Sequence, residues 1–136
     1  MKNNHLRFIL VILAGALAMG CKSKPVPPPA PMAASPQRVQ EIRAAYFRAY
    51  PDSRVGVINV VDRAHKLVSV ADVTGSDFRE GETVVIIDEK QKVLANGTIV
   101  RVLTNMVHVE YEKAKGGRDP IVGDMMVRIP PGGTTL

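Results

Sequence analysis

Beyond Pro51 the apolar pattern changes period. From Arg54 onward β-branched residues dominate and side chains alternate in character, most clearly at Met106–Glu112. There Val107, Val109 and Tyr111 fall on one side and His108, Glu110 and Glu112 on the other. A period of two over short runs bounded by turn residues is the mark of half-buried strands. The pattern predicts strands over Arg54–Val61, Lys66–Val73, Thr83–Ile87, Thr98–Leu103, Met106–Glu112 and Asp124–Ile129. Asp62–His65, Asp88–Gln91 and Thr104-Asn105 are predicted turns, and Pro130-Pro131 ends the last strand. Asn96-Gly97 is the strongest hairpin signal in the chain, because both residues tolerate the positive φ that a tight turn requires.

A faint repeat runs through this region. Gly81-Glu82-Thr83-Val84-Val85-Ile86-Ile87 matches Gly123-Asp124-Met125-Met126-Val127-Arg128-Ile129 as glycine, acid, any residue, apolar, valine, any residue, isoleucine. Each copy follows a strand and a long loop. Short strands, short turns and a repeated loop-strand unit predict a mainly β fold: a small closed or nearly closed β-barrel of six or seven short strands over residues 54–129, preceded by one short helix. Closure would also remove the strand edges through which small sheets aggregate. The pattern is similar to the small C-terminal β-barrels of some envelope-associated assembly lipoproteins and flagellar-assembly proteins, a resemblance that assigns no functional residue.

The helix is predicted over residues 37–50. Ser35-Pro36 supplies an N-cap and a proline at the first helical position, and Pro51 ends it. Val39, Ile42, Tyr46, Ala49 and Tyr50 share one face at helical spacing. The stripe predicts a helix capping one end of the domain. Arg38, Arg43 and Arg48 against Glu41 offer the alternative of a helix lying on anionic headgroups. Before it, residues 21–36 hold Pro25, Pro27, Pro28, Pro29, Pro31 and Pro36. Such a run favours polyproline II and reads as a spacer, reaching roughly 40 Å at about 3.1 Å per residue.

Charge is unevenly placed. Residues 1–53 carry the whole net charge of +5, whereas residues 54–136 balance eleven basic against eleven acidic groups. A neutral domain of interspersed sign, without Trp and with six aromatics in the whole chain, lacks the basic face and stacking platform of a nucleic-acid binder.

At the N-terminus, Lys2 and Arg7 precede an apolar run from Phe8 to Ala18. That length suits a signal peptide of residues 1–20 and falls short of the roughly 20 apolar residues of a spanning helix. The run closes on Leu17-Ala18-Met19-Gly20-Cys21, which resembles the lipobox of bacterial lipoproteins. The resemblance implies cleavage between Gly20 and Cys21 and a diacylglyceryl group on the Cys21 thiol. Met19 is larger than the residue usual at its position, and Ala18 stands where leucine is commonest. Lys22 rather than aspartate follows the cysteine, which by the sorting rule of such lipoproteins implies an exported protein on the outer membrane, facing the periplasm. One acyl chain holds a protein only marginally; two or three hold it firmly. Cys21 is the chain's one cysteine, so the barrel has no disulfide to draw on.

No arrangement of residues points to catalysis, a metal or another cofactor. His65 sits in a turn and His108 on a polar strand face, short of the three or four converging ligands of a zinc site. The carboxylates Asp62, Asp72, Asp77, Glu80, Glu82, Asp88 and Glu89 concentrate in turns, where solvation accounts for them. No serine stands in a nucleophile motif. Lys113, Lys115 and Arg118, around Gly116-Gly117, are the candidates for contact with an anionic polymer; a solvated loop is the simpler account. The residues therefore lead to a non-enzymatic, lipid-anchored envelope protein whose barrel binds a partner protein or joins an assembly. A cell-wall or glycan-binding module is the second reading, and residues 130–136 are expected to form a disordered tail.

Overall fold

The computed structural model describes residues 24–130. The predicted signal peptide, Gly20, Cys21 and nearly all of the predicted tail lie outside the described residues. Residues 24–30 are exposed and adopt neither helix nor strand. The described residues from Pro31 to Pro130 form one compact unit, whose regular elements run from α1 (Pro36–Ala49) through β1 (Arg54–Asp62), β2 (Leu67–Ala71), a 3-10 turn (Gly75–Asp77), β3 (Thr83–Ile87), β4 (Val93–Val102) and β5 (Met106–Lys113) to β6 (Met125–Arg128).

The strands close into an antiparallel barrel in the order β1-β2-β5-β4-β3-β6. Its interior is an aliphatic core that includes Ile58, Val68, Val70, Val84, Ile86, Ile99, Val107, Val109 and Met126. The predicted inward set Val107, Val109 and Tyr111 is buried in it. Closure falls to β6, whose Met126 faces Gly56 of β1 on one side and Ile86 of β3 on the other.

The faint repeat proves to be the barrel's internal symmetry. Gly81 donates its N–H to the Ile99 carbonyl (2.7 Å) while Ile99 donates to the Glu82 carbonyl (2.9 Å); Gly123, Ile58 and Asp124 repeat the pattern at 2.9 and 2.8 Å. Both glycines have positive φ, 86° and 94°, a conformation that favours a residue without Cβ. The β1–β2 ladder shifts register between Ile58 and Val60, and the β4–β5 ladder shifts between Ile99 and Arg101. The barrel is thus two β-β-β units, β1–β3 and β4–β6, related by an approximate two-fold axis. The axis crosses the wall at the pair Ser69–His108 and again at Val85–Val127.

One sequence expectation is corrected here. Asn96-Gly97 is not a hairpin turn but lies within β4, paired with Val85 and Val84 on one side and with Glu112 and Tyr111 on the other. The turn before β4 is Asp88–Lys92, where Asp88 Oδ1 accepts from the Lys90 and Lys92 amides at 2.9 Å each and Gln91 takes the positive φ. Gly97 is a packing requirement: a Cβ there would stand 2.5 Å from Val109 Cγ1 and 3.0 Å from Val84 Cγ2. Its symmetry mate Gly56 faces Val70 Cγ1 and Val73 Cγ1 in the same way. A strand glycine often marks such a close approach.

Helix α1 starts as predicted, with Ser35 Oγ accepting from the Arg38 amide (3.2 Å). It breaks the two-fold. Val39 and Ile42 are buried against Val55, Ile87, Met125 and Val127 on the outside of the barrel, with Tyr46, Val57 and Val85 alongside. The helix therefore covers the Val85–Val127 crossing of the axis and leaves the Ser69–His108 crossing open. Of the predicted stripe, Ala49 is exposed. Arg38 Nε donates to the Glu89 carbonyl (3.0 Å) and Arg43 Nε to the Val55 carbonyl (3.1 Å). Two of the three arginines considered for a headgroup surface thus hold the helix to the barrel. Among the described residues no helix is long and apolar enough to cross a membrane.

Gly97→Ala is expected to lower unfolding free energy by about 1–3 kcal/mol, as overpacking does, while Asn96→Ala on the exposed face stays within about 0.5 kcal/mol. Urea denaturation of both variants checks this; a neutral Gly97→Ala would return the pair to a turn.

Candidate functional site

The three basic residues singled out in the sequence do not act as one cationic surface. Arg118 binds Asp124 with both terminal nitrogens, Nη1 to Oδ2 at 2.7 Å and Nη2 to Oδ1 at 2.8 Å. Asp124 is buried to 1% exposure and also accepts from the Ile121 amide (2.8 Å). These hydrogen bonds raise the Arg118 pKa above its ordinary value against the opposing effect of burial. A bidentate pair of this kind fixes geometry as well as charge, so the guanidinium is committed to shaping the β5–β6 loop. Lys113 lies 3.9 Å from Asp119 on the surface, and Lys115 is exposed.

The histidines are also separate. His65 Nδ1 lies 2.7 Å from Asp62 Oδ2 in an exposed turn. That hydrogen bond lowers the Asp62 pKa. His108 Nδ1 meets Ser69 Oγ at 3.0 Å on the open face of the sheet. No group of three His, Cys, Asp or Glu converges among the described residues.

One concavity lies where the two halves of the barrel differ. In the second half the β4–β5 ladder includes the pairs Ala95–Lys113, Asn96–Glu112 and Gly97–Tyr111. The equivalent positions of the first half, 54–56 and 72–74, are not paired with each other, because the β1–β2 ladder ends at Val57–Ala71. There Asp72 takes a φ of 61°, which turns the chain away from β1. A left-handed conformation is uncommon for a residue with a Cβ and is a reason to look for function nearby. Arg43 spans the opening. Its Nε serves the Val55 carbonyl, and its Nη2 serves Asp72 Oδ2 (2.7 Å) and the Asp72 carbonyl (3.4 Å).

The result is a groove of about 530 Å³ between α1 and the β2–β3 connection, within the range of ligand sites. Val55, Val73 and Phe78 supply apolar surface, Phe47 stands at the lip 62% exposed, and Arg43, Arg54, Asp72 and Asp77 provide charge. Arg54 Nε donates to Asp77 Oδ2 (3.0 Å) and its Nη1 to the Ser53 carbonyl (2.8 Å). Behind them Arg128 lies over the Phe78 ring, 5.6 Å from its centroid, and donates to the Asp77 carbonyl (2.7 Å). The wall is therefore braced by side chains that are far apart in sequence. Of these residues the pattern had placed Arg43 on the helix and Asp72 and Asp77 among solvated turn carboxylates, and had not brought them together. The signal that could have located the groove is the repeat itself, had its strands been aligned as well as its glycines.

A second concavity of about 450 Å³, on the outer face of β3, β4 and β5, is lined by Lys66, Asn96, Thr98, Glu110, Tyr111 and Glu112 among others. The Tyr111 hydroxyl is buried without a geometric hydrogen bond. Burial first, and the Asp119 carboxylate second, raise its pKa.

Comparison with protein-family models, curated proteins and solved structures finds no match to this chain.

Arg118→Met is expected to cost about 3 kcal/mol, because it strands a buried carboxylate. Lys115→Ala is expected to stay within about 0.5 kcal/mol. Denaturation midpoints compare the two; equal, small effects would return Arg118 to the surface and to the set of free cations.

Proposed function

We propose that this chain is an exported, lipid-anchored envelope protein whose small barrel acts as a non-catalytic binding or assembly module. The observation that carries the reading is an order of segments: an apolar run closed by Leu17–Cys21, a proline-rich spacer, and a compact unit over the described residues 31–130. Acyl chains on Cys21 would hold the protein in a leaflet, and Lys22 directs the proposal to the outer membrane on its periplasmic side. The spacer would let the module reach partners away from that leaflet. A closed barrel leaves little edge for strand addition, and where the β1–β2 ladder ends early the Val55 carbonyl is taken by Arg43, so a partner would be met through side-chain surfaces and grooves. The net neutrality of residues 54–136 and the commitment of Arg118 to Asp124 favour a protein partner over an anionic glycan. Lys113 and Lys115 remain as the surface cations on which the glycan reading would rest.

Cys21→Ser should abolish metabolic labelling with a lipid precursor and move the protein to the soluble fraction. Continued membrane attachment with an uncut N-terminus would contradict the anchor. In-cell crosslinking of the wild type should recover envelope proteins with it. Recovery of the protein alone, at its natural expression level, would count against the module.

A further inference from the structure

We infer that the groove between α1 and the β2–β3 connection receives the C-terminal carboxylate of a partner polypeptide whose last residue is bulky and apolar. The inference rests on the binding-module reading and adds a ligand class to it. Both arginines of the groove are held in the same way. Arg43 is fixed through Nε and Nη2, and Arg54 through Nε and Nη1. Among the described residues Arg43 Nη1 and Arg54 Nη2 have no hydrogen-bond partner, and the two side chains are 25% and 37% exposed. Two guanidinium groups with fixed planes and unspent N–H donors suit a carboxylate, which accepts such bonds in pairs.

Apolar surface lies in the same groove. Val55, Val73 and Phe78 line it, and Phe47 presents an aromatic face at the lip. An apolar side chain and a carboxylate on a single residue is the arrangement found at the end of a polypeptide, and capture of a terminal carboxylate is a known mode of peptide recognition. Asp72 and Asp77 balance the two arginines, so recognition would come from hydrogen-bond geometry and apolar contact rather than net attraction. It would discriminate an acid from its amide without drawing in anions generally.

The opposite half of the barrel offers an internal comparison. At the symmetry-related place the pairs Asn96–Glu112 and Gly97–Tyr111 close the ladder, and the concavity of about 450 Å³ over them has no arginine in its lining. In the first half Asp72 departs from the extended conformation and Arg43 takes the place of a strand pair, which puts a guanidinium into the groove wall. An exposed aromatic beside desolvated apolar surface is also where binding energy tends to concentrate.

Titration of ¹⁵N-labelled residues 31–136 with N-acetylphenylalanine, N-acetylphenylalaninamide and octanoate tests the inference. The acid should shift the amide signals of Val55, Val73 and Phe78 with a dissociation constant of about millimolar order, as expected for so small a ligand. The amide should bind at least about fivefold more weakly, a discrimination of the size that lost charge-assisted hydrogen bonds produce. Arg54→Gln should erase that difference. Phe47→Ala, at an exposed position where folding is undisturbed, should weaken both ligands about threefold, which keeps the test informative if Arg54→Gln fails to fold. Equal binding of acid and amide, shifts elsewhere on the barrel, or no shift would overturn the inference. Octanoate binding without N-acetylphenylalanine would also overturn it, in favour of a lipid. Any of these results would leave a partner recovered by in-cell crosslinking standing, whereas an absent partner would remove the module reading itself.

Discussion

Closure of the barrel through β6 is the constraint on which the other features depend. Four residues, Met125–Arg128, pair with β1 on one side and β3 on the other. Met126 fills the interior, while Met125 and Val127 face outward and are covered by α1. Burial on both faces makes a strand continuously apolar rather than alternating, which explains the Met-Met-Val run of β6 and the Val84–Ile87 run of β3 beside it. Such a short strand can close the wall only if its neighbours come near. Gly56 of β1 allows this by leaving the space of a side chain to Val70 and Val73, and Gly97 of β4, away from β6, leaves the same space to Val109 and Val84. The helix completes the arrangement by removing the outer apolar face of the seam from water.

The internal two-fold converts the structure into its own control. Features present in both halves, such as the Gly81 and Gly123 turns, the acids Glu82 and Asp124 behind them and the paired register shifts, belong to the scaffold. Glu82 accepts from the Arg79 amide (3.0 Å) as Asp124 accepts from that of Ile121 (2.8 Å). Features present in one half are where specialisation would lie. The helix is one. The early end of the β1–β2 ladder, with Asp72 left-handed and Arg43 across the gap, is the other. Both meet at the same groove.

Much of the fold was legible in the sequence because the relevant forces are local or periodic. Alternation located β5, a run apolar on both faces located β3, the Ser35-Pro36 cap located α1, and the repeated Gly-acid motif marked the entry to β3 and β6. The misread pair shows the limit. Asn96-Gly97 has strong turn chemistry, but Gly97 is needed for an approach between β4 and β5 set by the whole barrel, a fact no local window contains. Arg118 shows the same limit for the candidate site. It read as one of several loop cations, and its charge belongs to a carboxylate six residues away that only folding buries. The groove was out of reach for a related reason: Arg43, Arg54, Asp72 and Asp77 come together through barrel closure and helix docking, not through a motif.

Amide hydrogen exchange tests the account of the barrel most directly, because it compares symmetry-related positions within one molecule. Glu112 lies inside the β4–β5 ladder opposite Asn96, whereas its counterpart Val73 lies beyond the end of the β1–β2 ladder. The account predicts that the Glu112 amide exchanges at the slow rate of the core strands and the Val73 amide orders of magnitude faster. Similar protection at the two positions would show that both ladders run to the same length, and would contradict the asymmetry from which the groove was derived.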